Sequence, residues 1–343
     1  MASLKEIKNR ITSVSGTLKI TSAMKLVASA KLRKAQQAIT DMLPYERQLQ
    51  SILGRLLAAG LDAGAPSGPG RVHSRFAAAE YGLGPAAAPA DSGRVAIVAF
   101  SSNSSLCGAF NANAIRKALS VIDEYRAAGL RDGNIVVYSV GRKMAEAMRK
   151  AGFPSPADYS KMAESPGYEA ASALAKELID GFASGRFTKV ELVYNHFKST
   201  ASQPTVRETY LPMAVADVPD GTPPAPAPAH SHLAATEHGL GTAAMLSQAA
   251  GPVILSDSEG SDVIFEPSRS ELLEELLPKV QRLKIYTTLL DSNAAEHAAR
   301  TVAMQTATDN GNELLESLTL EYNKSRQQKI TSEILDIVGG SMQ

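Results

Sequence analysis

Hydrophobic residues recur every three and four positions along the first 56 residues. From Leu4 the register passes through Ile7, Ile11, Val14, Leu18, Thr21, Lys25, Ala28, Leu32, Ala35, Ile39, Met42, Glu46, Leu49, Leu53 and Leu56. Thirteen of these sixteen positions are apolar, a sustained 3.5-residue repeat that marks the seam of a coiled coil. The far end carries a matching series, Leu276, Val280, Leu283, Leu290, Ala294, Met304, Leu315, Leu318 and Tyr322. After a slip in register, Ile330, Ile334 and Ile337 continue it. Two such ends are expected to wind together into one antiparallel rod, a device for transmitting force or position.

The first helix is expected over about residues 3–58, with Ser3 as N-cap and Glu6 completing a capping box. At 1.5 Å per residue it is about 80 Å long. Pro44 lies inside it and should kink or interrupt it near residues 40–44, because the ring removes an amide donor and clashes with the preceding turn. The last helix is expected to start after Pro267 and to stop at Gly339 and Gly340. Small side chains at Ala294, Ala295, Ala298, Ala299, Ala303 and Ala307 let two helices approach closely, so this stretch should face the narrow part of the rod. Gly311 costs about 1 kcal/mol of helix propensity there, which close helix contact would explain.

Between the helices the period changes. Val95–Phe100 and Ile135–Val140 read as buried strands, followed by a third over 190–197 and a fourth over Thr205–Leu211, expected as an antiparallel edge. Helices are expected over 111–128, Arg142–Lys150 and Tyr168–Ala183. Alternation of strands and helices argues for βαβ crossovers, hence a Rossmann-like α/β domain with a mostly parallel sheet. The chain divides into an N-terminal coiled-coil helix (1–58), a flexible Ala/Gly/Pro-rich connection (59–93), the α/β domain (94–213), a low-complexity insertion (214–262) and a C-terminal segment with the second coiled-coil helix (263–343). The two connecting stretches are too poor in apolar residues to offset ordering entropy.

Composition narrows the function. The 343 residues have a net charge of zero and one cysteine, Cys107. A single cysteine excludes an internal disulfide and suits a reducing compartment. No apolar run is long enough to span a bilayer, and the N-terminus has no apolar signal core. Charge is uneven, however: residues 1–34 carry eight Lys or Arg against Glu6 alone. Unpaired positive charge along a rod is a surface for carboxylates of a partner. It also motivates a competing reading, a coiled-coil protein associated with nucleic acid, whose binding would fall steeply with salt. The absence of Trp and the few aromatics weaken any role that needs base stacking.

Candidate chemistry is sparse. His230, His232 and His238 cluster within nine residues, but in a Pro/Ala-rich stretch with no scaffold to set a metal geometry. The loop Ser101–Gly108 follows a strand and precedes a helix, where phosphate-binding loops occur. It has neither the three-glycine fingerprint nor a Gly-Lys-Ser/Thr element. Cys107 has no His or acid partner in the sequence to make it a nucleophile. No catalytic set, metal site or cofactor site emerges.

The termini carry long motifs: Lys5–Val14 (KEIKNRITSV), Thr17–Arg33 (TLKITSAMKLVASAKLR), Ala299–Gly311 (ARTVAMQTATDNG) and Leu320–Ile334 (LEYNKSRQQKITSEI). Both ends resemble the gamma subunit of F-type ATP synthases. The resemblance implies a non-catalytic rotor shaft: paired termini inside a ring of three alpha and three beta subunits, with the α/β domain below, beside the membrane c-ring and the epsilon subunit. Ion flow would turn the shaft, and turning would change which beta subunit is held open. By position, Met24 and Lys25 match the family site near an acidic beta-subunit loop, and Arg326, Gln327, Thr331 and Glu333 match the site gripped by loops near the tip. Ile264–Pro267 (IFEP) resembles the foot segment, with Phe265 and Glu266 as contacts to epsilon and the c-ring. Nucleic acid has no place in this arrangement.

Three departures from the family stand out. Ser104 and Ser105 replace the usual Arg-Gly before Leu106, Cys107 and Gly108. The stretches 60–93 and 214–262 are longer than the family's connections, and the second precedes the foot, so it is expected to project near epsilon or the rotor base. One cysteine cannot supply the dithiol switch of chloroplast members. Direct entry into the terminal motif points to a bacterial protein, held peripherally on the cytoplasmic side of the inner membrane.

Overall fold

The computed structural model describes residues 4–58, 93–213 and 269–340. The stretches expected as a flexible connection and as a low-complexity insertion lie outside them, Gly93 apart, as do Ser3, His230, His232, His238, Phe265 and Glu266.

Helix α1 (Leu4–Ala58) and the last helix, α6 (Arg269–Gly340), span 55 and 72 residues. Between them come β1 (Val95–Phe100), α2 (Phe110–Ala127), β2 (Ile135–Val140), α3 (Arg142–Lys150), a short α4 (Ser160–Glu164), α5 (Tyr168–Ala183), β3 (Lys189–Asn195) and β4 (Thr205–Leu211). The sheet order is β2-β1-β3-β4. β1 is parallel to both β2 and β3, and β4 closes the edge antiparallel to β3.

All six residues of β1 are buried, as a central strand covered on both faces requires. Val95, Ile97 and Ala99 face Ala114, Ala118, Val121 and Ile122 of α2 and Met144 and Met148 of α3. Ala96, Val98 and Phe100 share the opposite core with Leu174, Ala175 and Leu178 of α5. Ile285 and Leu289 of α6 enter that same core. The shaft helix is therefore also part of the domain's outer layer.

The two long helices run antiparallel in one register. Thr308 Oγ1 bonds Thr21 Oγ1 at 3.2 Å, and a Cβ built on Gly311 would stand 2.7 Å from Cδ2 of Leu18. Three steps down one helix match three steps up the other, which is close contact of the kind expected at Gly311. Further along, Leu32 and Ala35 pack on Ala294 and Ala298, and Leu49 and Leu53 pack on Leu277, Val280 and Leu283. Burial of such seams, not helix propensity, holds long amphipathic helices together.

Three expectations are corrected. Of the kink or interruption expected near Pro44, the interruption does not occur: α1 is helical from Leu4 to Ala58. Pro44 and Thr40 are exposed, so the carbonyl that loses its amide partner faces water, while the seam packs on the other side. Ile330, Ile334 and Ile337 do not extend the seam: every described side chain from Arg326 onward is exposed. The described part of α1 begins at Leu4, and its register places no described residue of α1 opposite α6 beyond about Ser325. The alanine stretch is also not confined to the rod. Ala294 and Ala298 face α1, Ala295 packs on Cys107 and Phe110 of the domain, and Ala307 is exposed.

Candidate functional site

In an open α/β sheet the crevice beyond the carboxyl ends of the parallel strands is where ligands bind. Here α6 fills it. Leu289, Ser292, Asn293 and Glu296 sit against Phe100, Ser101 and Val140 at the ends of β1 and β2, leaving a cavity of about 10 Å³. That is space for a single water. Asn293 Nδ2 reaches Ala163 O at 3.3 Å, and Asp291 accepts both the backbone N–H of Phe197 (2.8 Å) and His196 Nδ1 (2.6 Å). The position that holds a nucleotide in other proteins of this architecture holds the shaft.

The Ser101–Gly108 loop is built around its own polar groups. Asn111 Nδ2 donates to Cys107 Sγ at 3.1 Å, and Asn111 Oδ1 accepts the N–H of Ser102 at 3.0 Å. Cys107 is buried, with its Sγ against Ser102 Oγ, Ser104 O and Asn111 Nδ2, so it is a packed thiol. Leu106 is held at φ 69°, a left-handed conformation that costs a leucine about 1–2 kcal/mol. The loop tolerates that strain because Arg300 of α6 pins it. Arg300 Nη1 donates to Ser105 O at 2.6 Å and Nη2 to Ser104 Oγ at 2.9 Å. A guanidinium from the shaft thus meets both serines of the loop, Ser104 and Ser105.

Arg300 also pairs with Glu296 at 2.7 Å, and both side chains are mostly buried. Burial raises the Glu296 carboxyl above its ordinary range, with Arg300 and Lys31 pulling the other way. Next to it, His297 is pushed down to about 4 by burial and by the cations of Lys31 and Arg300. Its imidazole is neutral at physiological pH.

These groups floor an open groove of about 560 Å³ between α1 and the domain. On α1, Ile20, Met24 and Val27 recur at four and three residues and are exposed, so they form one apolar face. Lys19 and Lys31 flank it, and Ser104, His297 and Arg300 form the opposite wall. Met24 is 41% exposed. Lys25, its neighbour, is half-buried at the edge of the seam, so it is less outward than a charged contact residue is expected to be.

The other expected residues form a separate station. Arg326, Gln327, Thr331 and Glu333 are all exposed on the unpaired end of α6. Thr331 Oγ1 bonds back to Gln327 O at 2.9 Å, and Glu333 lies 3.7 Å from Lys329. Opposite Met24 the register reaches α6 near residue 305, so the stations are about 30 Å apart along the axis. They are two surfaces on one rod and do not converge. Sequence reasoning missed Glu296, His297 and Arg300. The only local signal was an i,i+4 acid–base pair inside an alanine-rich run.

The chain matches the ATP synthase family over residues 3–342. It is 48% identical to the ATP synthase gamma chain of Phocaeicola vulgatus over 342 residues, covering 100% of both chains. The ATP synthase gamma chain of Flavobacterium johnsoniae is 37% identical, with 99% of this chain and 98% of that one covered. Among solved structures, a chain of the Euglena gracilis mitochondrial ATP synthase, OSCP/F1/c-ring, rotational state 3, aligns with a TM-score of 0.55 and 18% identity, covering 99% of this chain and 93% of that one. The last likeness bears on fold alone. End-to-end identity of this order, together with paired terminal helices and an α/β domain whose ligand crevice is plugged by the shaft, places the chain in the ATP synthase gamma chain family, the non-catalytic rotor subunits of the central stalk.

Proposed function

We propose that the α1–α6 rod stands inside a ring of three alpha and three beta subunits, with its unpaired tip uppermost and the base in contact with epsilon and the membrane c-ring. Met24 and Lys25 then face an acidic loop of a beta subunit. Arg326, Gln327, Thr331 and Glu333 meet the loops around the tip, and Phe265 and Glu266 make the foot contacts. Torque from ion flow through the c-ring enters at the foot and leaves through these upper contacts.

One observation supports this most directly. The rod is lopsided: among the described residues two helices share one register up to about Ser325, and α6 then continues without a described α1 partner for fifteen residues, 326–340, about 22 Å. The α/β domain packs on α6 through Ile285, Leu289 and Ala295. Such a body presents different contacts to three equivalent neighbours. A partner shifts a conformational equilibrium only through such differences in contact, so rotation by a third of a turn re-addresses each beta subunit. The exposed Ile334, Leu335 and Ile337 of the tip give it an apolar surface for the ring to enclose.

None of the helices, among the described residues, is long and apolar enough to cross a membrane. Attachment to the cytoplasmic side of a bacterial inner membrane is accordingly peripheral, through the c-ring. Affinity purification of the assembly followed by subunit counting is the direct test. One copy per three alpha and three beta chains, released from membranes without detergent, is expected. Equal numbers of the three chains, or no alpha and beta chains at all, would refute the assignment.

A further inference from the structure

The turn between β3 and β4 belongs to the α/β domain, yet its tip reaches the shaft. It is stiffly built. Asn195, 1% exposed, donates from Nδ2 to Phe110 O at 3.2 Å and accepts Thr205 Oγ1 at 2.6 Å. The N–H of His196 meets Pro204 O at 2.8 Å, and Ser199 and Ser202 exchange backbone bonds of 3.1 and 3.2 Å. From this turn the half-buried Phe197 packs against two clusters. One is the seam where Leu32 and Ala35 of α1 meet Ala294 and Ala298 of α6. The other joins Ala295 of α6 to Cys107 and Phe110. Asp291 completes the seat, because its carboxylate accepts the N–H of Phe197 and binds the His196 ring. Positions 291, 294, 295 and 298 have the spacing of one helix face. A carboxylate and three alanines therefore present a single surface to the turn.

Other polar links from the domain end on α6. Tyr210 Oη donates to Gln281 O at 3.0 Å, and Lys284 pairs with Glu208 at 2.7 Å. Asn293 reaches Ala163 O, and Arg300 holds Ser104 and Ser105. Bonds to one helix turn that helix, but two helices share a twisting load only where a third body bears on both. We propose, on the rotor assignment above, that the β3–β4 turn is a torsion key between the α/β domain and the shaft. Phe197 sets the angle of the domain on α1 and α6 together, and Asp291 is the positioning residue that keeps Phe197 in its seat. Close-packed elements hold discrete arrangements and do not deform continuously, so a seated ring makes domain and shaft turn as one body. Load on the domain then passes into both helices at this level.

The test uses the full chain assembled with alpha and beta subunits, with the ring fixed to a surface and ATP withheld. A probe is attached to the exposed side of α2 through Ser120→Cys, and the buried Cys107 does not compete for the label. Motion of a domain on its support runs over microseconds to milliseconds, within reach of single-molecule tracking. The parent is compared with Phe197→Ala, Asp291→Ala and Asp291→Asn. The first two are expected to show about twofold greater variance of the probe angle, because one of two comparable restraints, the turn and the core seat of Ile285 and Leu289, is lost and amplitude grows as restraint falls. Asp291→Asn keeps an acceptor for the Phe197 amide and should stay near the parent. Ile122→Ala is the control for a folding defect, since it opens a cavity in the core on the other face of the sheet, where no described residue of α1 or α6 enters. It should lower the melting temperature and leave the variance unchanged. Parent-like variance in Phe197→Ala and Asp291→Ala, an equal rise in Ile122→Ala, or Asp291→Asn as loose as Asp291→Ala would overturn the key and leave the rotor assignment intact. A parent whose probe does not step around the ring once ATP is added would overturn both.

Discussion

Replacing Arg300 by methionine removes one charge from a nearly closed site and keeps the apolar stem in place. Arg300 makes three polar contacts, two to the Ser104–Ser105 loop and one to the Glu296 carboxylate, all between 2.6 and 2.9 Å. Without the guanidinium, Glu296 must either stay ionised in a mostly buried position or take a proton. Protonation sets the ceiling on the electrostatic loss. It costs about 1.4 kcal/mol for each unit between the pH and the ordinary carboxyl value, which is 4.5. At pH 7 the ceiling is about 3 kcal/mol, and at pH 5 it falls below about 1 kcal/mol. The lost bonds to the serine loop add about 1–2 kcal/mol at either pH. The sign follows from linkage. The folded variant binds a proton more readily than the unfolded chain, so its stability falls as pH rises above 4.5 and levels off beyond the raised folded value. Urea denaturation of the purified full chain at pH 5, 6 and 7 should therefore show a gap between parent and Arg300→Met that widens by about 2 kcal/mol toward pH 7. Adding Glu296→Gln should close most of that increment. A gap independent of pH would mean that Glu296 is not confined as the structure has it.

Leu53 is 1% exposed against Leu277, Val280 and Leu283, so Leu53→Ala is expected to cost about 2–5 kcal/mol in the same urea assay. Gly141 and Gly129 both have positive φ, +103° and +92°, but a Cβ at 141 would lie 2.2 Å from the Ser101 carbonyl, whereas Gly129 has nothing within 4 Å. Gly129→Ala should lose only about 1–2 kcal/mol, and Gly141→Ala clearly more, with the difference read from parallel melting curves. Burial raises the Glu191 carboxyl, but bonds from Arg207, Lys189 and Tyr125 outweigh it and leave the value lowered. Its contribution is therefore present above the ordinary carboxyl value and lost as pH falls through the lower folded one. In an acid titration followed by circular dichroism, Glu191→Gln should start less stable at pH 7 and lose less than the parent below pH 4.5.

Much of this molecule was legible in one dimension because its elements are long and periodic. The strands Val95–Phe100, Ile135–Val140 and Thr205–Leu211 fall where alternation and β-branched runs put them, and β4 is the antiparallel edge that its position suggested. Heptad spacing identified both rod helices, since a 3.5-residue repeat has few other ways to bury its apolar stripe. The motifs at the two ends carried the family.

Where an apolar stripe stops being a seam was not legible. Ile330, Ile334 and Ile337 keep the spacing of buried residues and are exposed, because burial depends on where the partner helix begins. Pro44 shows the same limit in the other direction: a local helix breaker sits within continuous helix because the packed face lies opposite. The groove of Met24, His297 and Ser104 joins residues from three parts of the chain, and no periodicity encodes a meeting across 190 or more positions such as that of Arg300 with Ser104 and Ser105. The residue types and their spacing determined which helices and strands form and which face of each is apolar. Only the tertiary structure decided which apolar faces find a partner, which charges are buried together, and that the crevice of the α/β sheet is filled by the shaft, because those outcomes depend on distances in space that a linear order of side chains does not contain.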